Sequence, residues 1–588
     1  MTSPNLVLLH APSIYDFRQE TVLYGPLGDF VLPPFALDRY PLTYGALAGH
    51  LERNDYRVRI VNLARHMLTD SGFDAEGTIA SLEPLAFGID LHWLAHVQGA
   101  LAVAQIVKTF HPDTPVVLMG QAATHYHAEL INYPQVDYVL RGDSTENALL
   151  SLMQSMSQGQ MPGQIPSLTW RTRAGQVMEN PMAPPSESLD DLDFSGEWRW
   201  TDSSMEDGWP GCVPFARQTH APFSVSAMAR GCTHHCTQCG TSAHAARQLN
   251  GRCTPAYRSP ERLAEDVYDA QRHRDGAAYV AGDITQNGMD YARRFIRALG
   301  GFPDLVCFDL FQPAPRELLD DMARALPQVA LEIPMDSHDP HIREAIGRPY
   351  NNSAVEKTIE DALSLGYAQV RLYFTIGLPC QDYDSVMDTV AYCDELLTGF
   401  KGDGRLQPFV APLMPFLDPG SLAFEEPEQT GYRLLFGTLE EHRRALLTPS
   451  WKHALNYETV WMSRDDIARA TYDSTGALAQ IRAKHGFIPA GQARKMQESV
   501  VQAHQLMAEI DQAMALDDTE RLQDTLSALK PRIDAANRAG LWNQRLSTWR
   551  QDDIRRSTVD DRAALGSVRR AWLAVREWWQ GRSDHQVS

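Results

Sequence analysis

Long apolar runs are missing from this chain of 588 residues: no stretch approaches the roughly 18 consecutive apolar residues that a bilayer-spanning helix needs. The start, Met-Thr-Ser-Pro-Asn-Leu-Val-Leu-Leu-His, has no basic region ahead of an apolar segment, so a secretory signal is not expected. Cysteine is scarce, at eight residues. That is too few for a disulfide framework, and a reduced, cytoplasmic setting is expected. Basic charge is outweighed, with 53 Lys and Arg against 74 Asp and Glu and a net charge of −21. This disfavours nucleic acid and acidic membrane surfaces as partners. There is no GxGxxG fingerprint, so a nicotinamide or flavin dinucleotide is not indicated. Internal repeats and low-complexity tracts are also missing. What is present is ordinary globular composition, 44% hydrophobic and 22% charged, on a chain too long for one core.

Three of the few cysteines are crowded together. Cys232, Cys236 and Cys239 lie in Ala-Arg-Gly-Cys-Thr-His-His-Cys-Thr-Gln-Cys-Gly at 229–240. Three thiolates this close can hold three irons of a cubane cluster and leave the fourth open, because the next cysteine, Cys253, is too distant for the same tight loop. A structural zinc site would want a second ligand pair, which is missing; His234 and His235 are too close in sequence to chelate beside their neighbours. The spacing Cys-x-x-x-Cys-x-x-Cys resembles the signature of the radical SAM superfamily, in which the open iron of a 4Fe-4S cluster holds the amino and carboxylate groups of S-adenosylmethionine. That family usually has an aromatic residue before the third cysteine, where this chain has Gln238.

The expected fold class is α/β in three parts. Residues 1–155 alternate β-branched runs and helical patterns, with strands at 5–9, 57–62, 85–89, 115–119 and 138–140, a Rossmann-like parallel sheet. Such sheets bind ligands beyond the carboxyl ends of their strands. Residues 156–220, rich in Gly, Pro, Ser and acidic side chains, read as a connector, within which Trp198, Trp200 and Trp209 suggest packing. Residues 221–415 carry six strands, at 223–228, 278–281, 305–310, 330–335, 369–376 and 408–413, enough for a partial (β/α)6 barrel. The cysteine loop follows the first of these, at the end where barrel chemistry gathers. Residues 416–588 are mainly helical, with amphipathic runs at 491–516 and 518–540 and a last helix anchored by Trp572, Trp578 and Trp579. The aromatic tract 451–461 reads as a seam between domains rather than an active-site cover.

A parallel sheet directly ahead of the cysteine motif resembles the cobalamin-binding half of the cobalamin-dependent radical SAM enzymes. Gly-Arg-Pro-Tyr at 347–350, Leu-Tyr-Phe-Thr-Ile-Gly-Leu-Pro at 372–379 and Pro-Leu-Met-Pro-Phe-Leu-Asp-Pro-Gly-Ser at 412–421 extend the resemblance over most of the chain. It implies cobalamin over the N-terminal edge, where Gly120, Gln121 and Thr124 lie. Asp90-Leu91-His92 departs from the Asp-x-His-x-x-Gly of classical carriers, with Ala95 in place of the glycine, so His92 and His96 read as ordinary loop and helix residues. Arg65 is the alternative occupant of the lower face of the cobalt. For S-adenosylmethionine, the resemblance implies Gly282 and Asp283 where the family has Gly-Gly-Glu, Ser337 near ribose or carboxylate, Arg371 for the carboxylate, and Gly377 at the adenine. The implied activity is methyl transfer from S-adenosylmethionine through cobalamin to a carbon of a small-molecule or peptide substrate, with a flavodoxin- or ferredoxin-type electron donor. A rearrangement or ring closure without methyl transfer is the alternative, and a non-catalytic cobalamin or redox sensor a remoter one. The sequence selects neither the substrate, the carbon type, nor the oligomeric state.

Overall fold

Apolar pentapeptides such as Leu-Val-Leu-Leu-His build the first sheet. Its parallel strands are β1 (Leu6–His10), β2 (Val58–Asn62), β3 (Ala86–Asp90), β4 (Val116–Met119) and β5 (Tyr138–Leu140), in spatial order 2-1-3-4-5. All five residues of β1 and of β3 are buried, the mark of a sheet covered on both faces. Alternation sorts them: Val7, Leu9, Phe87 and Ile89 face the helix Val97–Phe110, whereas Leu6, Leu8, Val117 and Met119 face the helices Leu42–Glu52 and Glu146–Ser157.

All five expected strands form. The sheet also continues into the tract read as a connector, through β6 (Leu168–Arg171) and β7 (Val177–Glu179), both antiparallel. These strands are only four and three residues long, and β7 is mostly exposed, so neither an apolar run nor a clean alternation marks them. The described residues are 3–25, 42–70, 72–193, 223–273, 277–412, 416–516 and 518–539 of a computed structural model, all inside one compact unit, Met1–Ser547. Trp198, Trp200, Trp209, Trp572, Trp578 and Trp579 lie outside them.

The second sheet has six parallel strands in sequential order: β8 (Phe223–Ala227), β11 (Ala277–Asp283), β12 (Leu305–Asp309), β13 (Gln328–Asp336), β14 (Gln369–Ile376) and β15 (Leu406–Pro412). This is the expected partial barrel. Between β8 and β11 a short antiparallel pair, β9 (Ala229–Arg230) and β10 (Ala256–Tyr257), closes the excursion that carries the cysteines. Residues such as Phe308, Leu331 and Leu372 face outward into the helical layer. The intervening positions, among them Asp309, Glu332 and Arg371, face the lumen.

The C-terminal part contributes the antiparallel pair β16 (Tyr432–Leu434) and β17 (Tyr457–Thr459) and the helices Arg464–Lys484, Ala490–Met514 and Thr519–Ala539. The first of these helices borders β15, where Arg482 donates to the carbonyl of Pro408 at 3.2 Å. The tract at 451–461 is a seam at its start. Trp451, 1% exposed, donates its indole N–H to Tyr472 Oη at 3.1 Å and its backbone N–H to the carbonyl of Leu23 at 3.0 Å.

The helix Val97–Phe110 packs closely on the loop after β1 at Gly99, where an added Cβ would stand 1.7 Å from the carbonyl oxygen of Pro12. Backbone cannot swing aside as a side chain can. Gly99→Ala is expected to cost about 1–3 kcal/mol in a urea unfolding experiment; an unchanged midpoint would mean the helix and the 11–14 loop can separate freely.

Candidate functional site

The cysteine loop leaves the barrel at the carboxyl end of β8. Cys236 is buried and Cys232 and Cys239 are half-buried, and all seven cysteines among the described residues are free thiols. Amides point at the sulfurs: His234 N–H donates to Cys232 Sγ at 3.4 Å and Thr241 N–H to Cys239 Sγ at 3.4 Å. Burial nevertheless dominates, with the Asp418 carboxylate second, and pushes the Cys239 thiol up to about 12. Burial raises the Cys232 thiol as well. A metal that takes these sulfurs as thiolates must therefore displace protons from them. Among the described residues no three His, Cys, Asp or Glu side chains converge on one ion-sized point. Three thiols on one short loop are the donor set that a cubane takes, one to each of three irons. The donor set thus fits an iron–sulfur cluster.

The loop is held from outside. Gln121, at the carboxyl edge of the first sheet, donates its side-chain amide to the carbonyl of Gly240, whose N–H donates to Asp418 Oδ2 at 3.0 Å. Burial raises the Asp418 carboxyl to about 6. Thr237 N–H donates to the carbonyl of Ile346 at 3.3 Å. A Cβ on the next residue, Gly347, would stand 2.8 Å from the carbonyl of His235. The Gly-Arg-Pro-Tyr motif therefore abuts the cysteine loop. Its Arg348 is fixed by the carbonyl of Pro334 at 2.6 Å, by Asp336 at 3.0 Å and by the Phe311 ring.

At the sheet edge, Gly120 packs so closely on the β3 loop that a Cβ would meet His92 N at 2.7 Å. Thr124 is 6% exposed. Its hydroxyl donates to the carbonyl of Gly120 at 2.7 Å and accepts from Gly142 N–H at 2.9 Å, binding the loops after β4 and β5 together. Gly120, Gln121 and Thr124 are thus neighbours, though Thr124 is committed to its own loops. Arg65 sits in the helix Leu63–Thr69 directly after β2; its side chain lies outside the described residues. The strand order reverses between β1 and β3, where β1, β2 and β3 end in His10, Asn62 and Asp90, all 6% exposed or less. Apolar strands that end in buried polar groups at a topological switch point mark a ligand edge, a signal available in the sequence and missed. Burial, then His96, lowers the His92 imidazole to about 4, so it is neutral at physiological pH.

The residues expected to hold S-adenosylmethionine are gathered at the barrel but engaged by the protein itself. Asp283 is fully buried; it accepts from Thr285 N–H at 2.8 Å and Thr285 Oγ1 at 2.6 Å, and from Phe311 N–H at 2.8 Å. Gly282 donates its N–H to Asp309 at 3.0 Å. Ser337 is fully buried and its hydroxyl accepts from Asp339 N–H at 3.1 Å. The close approach at Gly377 is made by Tyr457, whose Oη would lie 2.7 Å from a Cβ there. Arg371 does point inward, but its guanidinium donates to Glu332 at 3.0 Å and Gln369 at 2.8 Å, five residues short of the end of β14. It belongs to a lumen network that sequence reasoning missed. Tyr279 Oη donates to Asp309 at 2.7 Å in the same network. Its signal was the period-two placement of Asp309, Glu332 and Arg371 in otherwise apolar strands. Burial, with Glu332 next, raises the Asp309 carboxyl to about 7.

With this geometry in hand, residues 227–393 match the radical SAM superfamily and form a radical SAM domain. Beyond that domain, the fold is shared with two solved cobalamin-dependent radical SAM enzymes. It superposes on TsrM from Kitasatospora setae, a radical S-adenosylmethionine methyltransferase with cobalamin and a 4Fe-4S cluster bound, with a TM-score of 0.51 and 15% identity over 74% of this chain and 81% of that one. OxsB, a cobalamin-dependent S-adenosylmethionine radical enzyme with aqua-cobalamin and S-adenosylmethionine bound, gives 0.50 and 12% over 97% and 84%. In sequence the chain is similar to cytidylyl-2-hydroxyethylphosphonate methyltransferase of Streptomyces wedmorensis, 23% identical over 410 residues, 61% of this chain and 73% of that protein. Among the described residues no helix is long and apolar enough to cross a membrane.

Two outcomes follow. Gly347→Ala should force the cysteine loop away and lower iron loading on reconstitution without changing the far-UV circular dichroism; full loading would show that the loop yields. For Asp309, a raised carboxyl means the folded chain binds the proton more tightly than the unfolded one. Stability should therefore decline as pH rises from about 4 to about 7. Asp309→Asn should flatten that decline in unfolding midpoints; an equal slope in both proteins would assign it to other groups.

Proposed function

We propose that this chain is a cobalamin-dependent radical SAM methyltransferase that moves a methyl group from S-adenosylmethionine, by way of cobalamin, to a carbon of a small-molecule or peptide substrate. The observation that carries this is the docking of the first sheet's carboxyl edge on the cysteine loop. Gln121 bonds Gly240, Asp143 bonds Arg252 and Glu146 bonds Arg230. A ligand over that edge and a cluster on Cys232, Cys236 and Cys239 are thereby neighbours. The phosphonate methyltransferase of Streptomyces wedmorensis supports the reaction class.

When bound, the groups supply a one-electron reductant, a source of both deoxyadenosyl radical and methyl, and a methyl carrier. The chain's residues do the rest. Cys232, Cys236 and Cys239 would hold the cluster, whose remaining iron would be the place for S-adenosylmethionine. Gly120 and Gln121 shape the cobalamin edge, and the neutral His92 lies beside it. Asp283 and Ser337 order the loops around the barrel mouth through the contacts described above, and so act on S-adenosylmethionine by positioning backbone. The lumen network of Tyr279, Asp309, Glu332 and Arg371 offers a substrate fixed polar groups of both charge signs. A flavodoxin- or ferredoxin-type donor delivers the electron.

Anaerobic reconstitution with iron, sulfide and hydroxocobalamin, followed by methyl-labelled S-adenosylmethionine and a strong reductant, tests this reading. Labelled cobalamin and deoxyadenosine are expected, and Cys232→Ala, Cys236→Ala or Cys239→Ala should each abolish deoxyadenosine formation while leaving the fold intact. Deoxyadenosine without retained cobalamin would overturn the methyl-transfer route. Deoxyadenosine with an altered but unmethylated product would favour a rearrangement or ring closure.

A further inference from the structure

The excursion that carries the cysteines has a narrow neck, and two arginines stand in it. At the neck β9 and β10 pair, with Arg230 opposite Ala256. Gly231, between Arg230 and Cys232, has φ +84°, and a Cβ on it would stand 2.7 Å from Cδ of Arg252. The stem of Arg252 thus lies across the residue next to the first cysteine. From there its guanidinium leaves the barrel. Nε donates to Asp143 Oδ2 at 2.6 Å and Nη2 to Asp143 Oδ1 at 2.8 Å. Nη2 also donates to Ser144 Oγ at 3.2 Å, and Nη1 to the carbonyl of Ser186 at 2.8 Å. Arg252 is 3% exposed. Beside it, the half-buried Arg230 donates from Nη2 to Oε1 of the buried Glu146 at 2.5 Å. Asp143 lies in the turn after β5, and Glu146 opens the helix Glu146–Ser157 that follows it.

Two ion pairs, each with one buried and one half-buried partner, are a poor way to gain stability, since desolvation offsets much of their attraction. What the forked Asp143–Arg252 pair does supply is a fixed distance and angle, to which Glu146–Arg230 adds a second tether through one hydrogen bond. The tip of the same loop is tied separately, through Gln121, Gly240 and Asp418. We propose that Asp143–Arg252 and Glu146–Arg230 form a clamp that sets the register of the first sheet's edge against the cysteine loop. Asp143, Glu146, Arg230 and Arg252 are then positioning residues for methyl transfer between the two sites. The proposal rests on the two-cofactor reading given above.

The test uses the full chain with Asp143→Asn, Glu146→Gln and the pair combined. In cofactor-free protein, amide hydrogen exchange over 229–258 should quicken. After reconstitution, bound iron, retained cobalamin and deoxyadenosine formation should match the parent, while labelled methyl transfer to cobalamin falls by about tenfold to a hundredfold. Asp143→Glu, which keeps the fork one methylene further out, should restore part of that transfer. A purely structural role would lower all these readouts together, and that result, like transfer or exchange equal to the parent's, would overturn the clamp. A parent protein that retains no cobalamin would overturn the two-cofactor reading and the clamp with it, and it is seen before any substitution is made.

Discussion

The position of the cysteine loop depends on polar contacts made by distant parts of the chain. Between Gly231 and Ser242 the loop is built of Gly, Thr, His and Gln around its cysteines, and little of it joins the hydrophobic core. It cannot fold on apolar burial. Its shape comes instead from directional groups: the Gln121 amide and the Asp418 carboxylate at Gly240, the carbonyl of Ile346 at Thr237, and Arg252 across Gly231. Hydrogen bonds and forked ion pairs fix angles as well as distances, which a ligand loop needs more than raw stability.

The barrel divides its labour by face. Outward positions of β12, β13 and β14 are Val, Phe, Leu and Ile and join the main core. Inward positions hold Tyr279, Asp309, Glu332 and Arg371, a hydrogen-bonded set in which burial raises both carboxyls, with repulsion from Glu332 adding to it at Asp309 and Arg371 opposing it at Glu332. An ordinary barrel fills its lumen with branched apolar side chains. A polar lumen is less stable than that and is tolerable only because its members satisfy one another. The same economy governs Asp283 and Ser337, whose polar atoms are spent on loop geometry.

The comparisons show one fold kept at very low sequence identity. TsrM and OxsB share a fold with this chain at 15% and 12% identity.

The sequence by itself determined the five parallel strands, the six barrel strands, the long C-terminal helices and the cysteine loop's place after β8. Each rests on a local pattern, apolar runs of strand length or thiols a few residues apart, that no distant contact can override. It did not reveal β6 and β7, which are too short to carry a period. Nor did it show that Arg371 is engaged by Glu332, that Tyr457 covers Gly377, or that Arg252 crosses Gly231 to reach Asp143. Those are meetings between residues about 40 to 110 positions apart. Only the tertiary structure decides them, because an ion pair or a close approach is a property of two side chains in space and leaves no periodic trace in either segment alone.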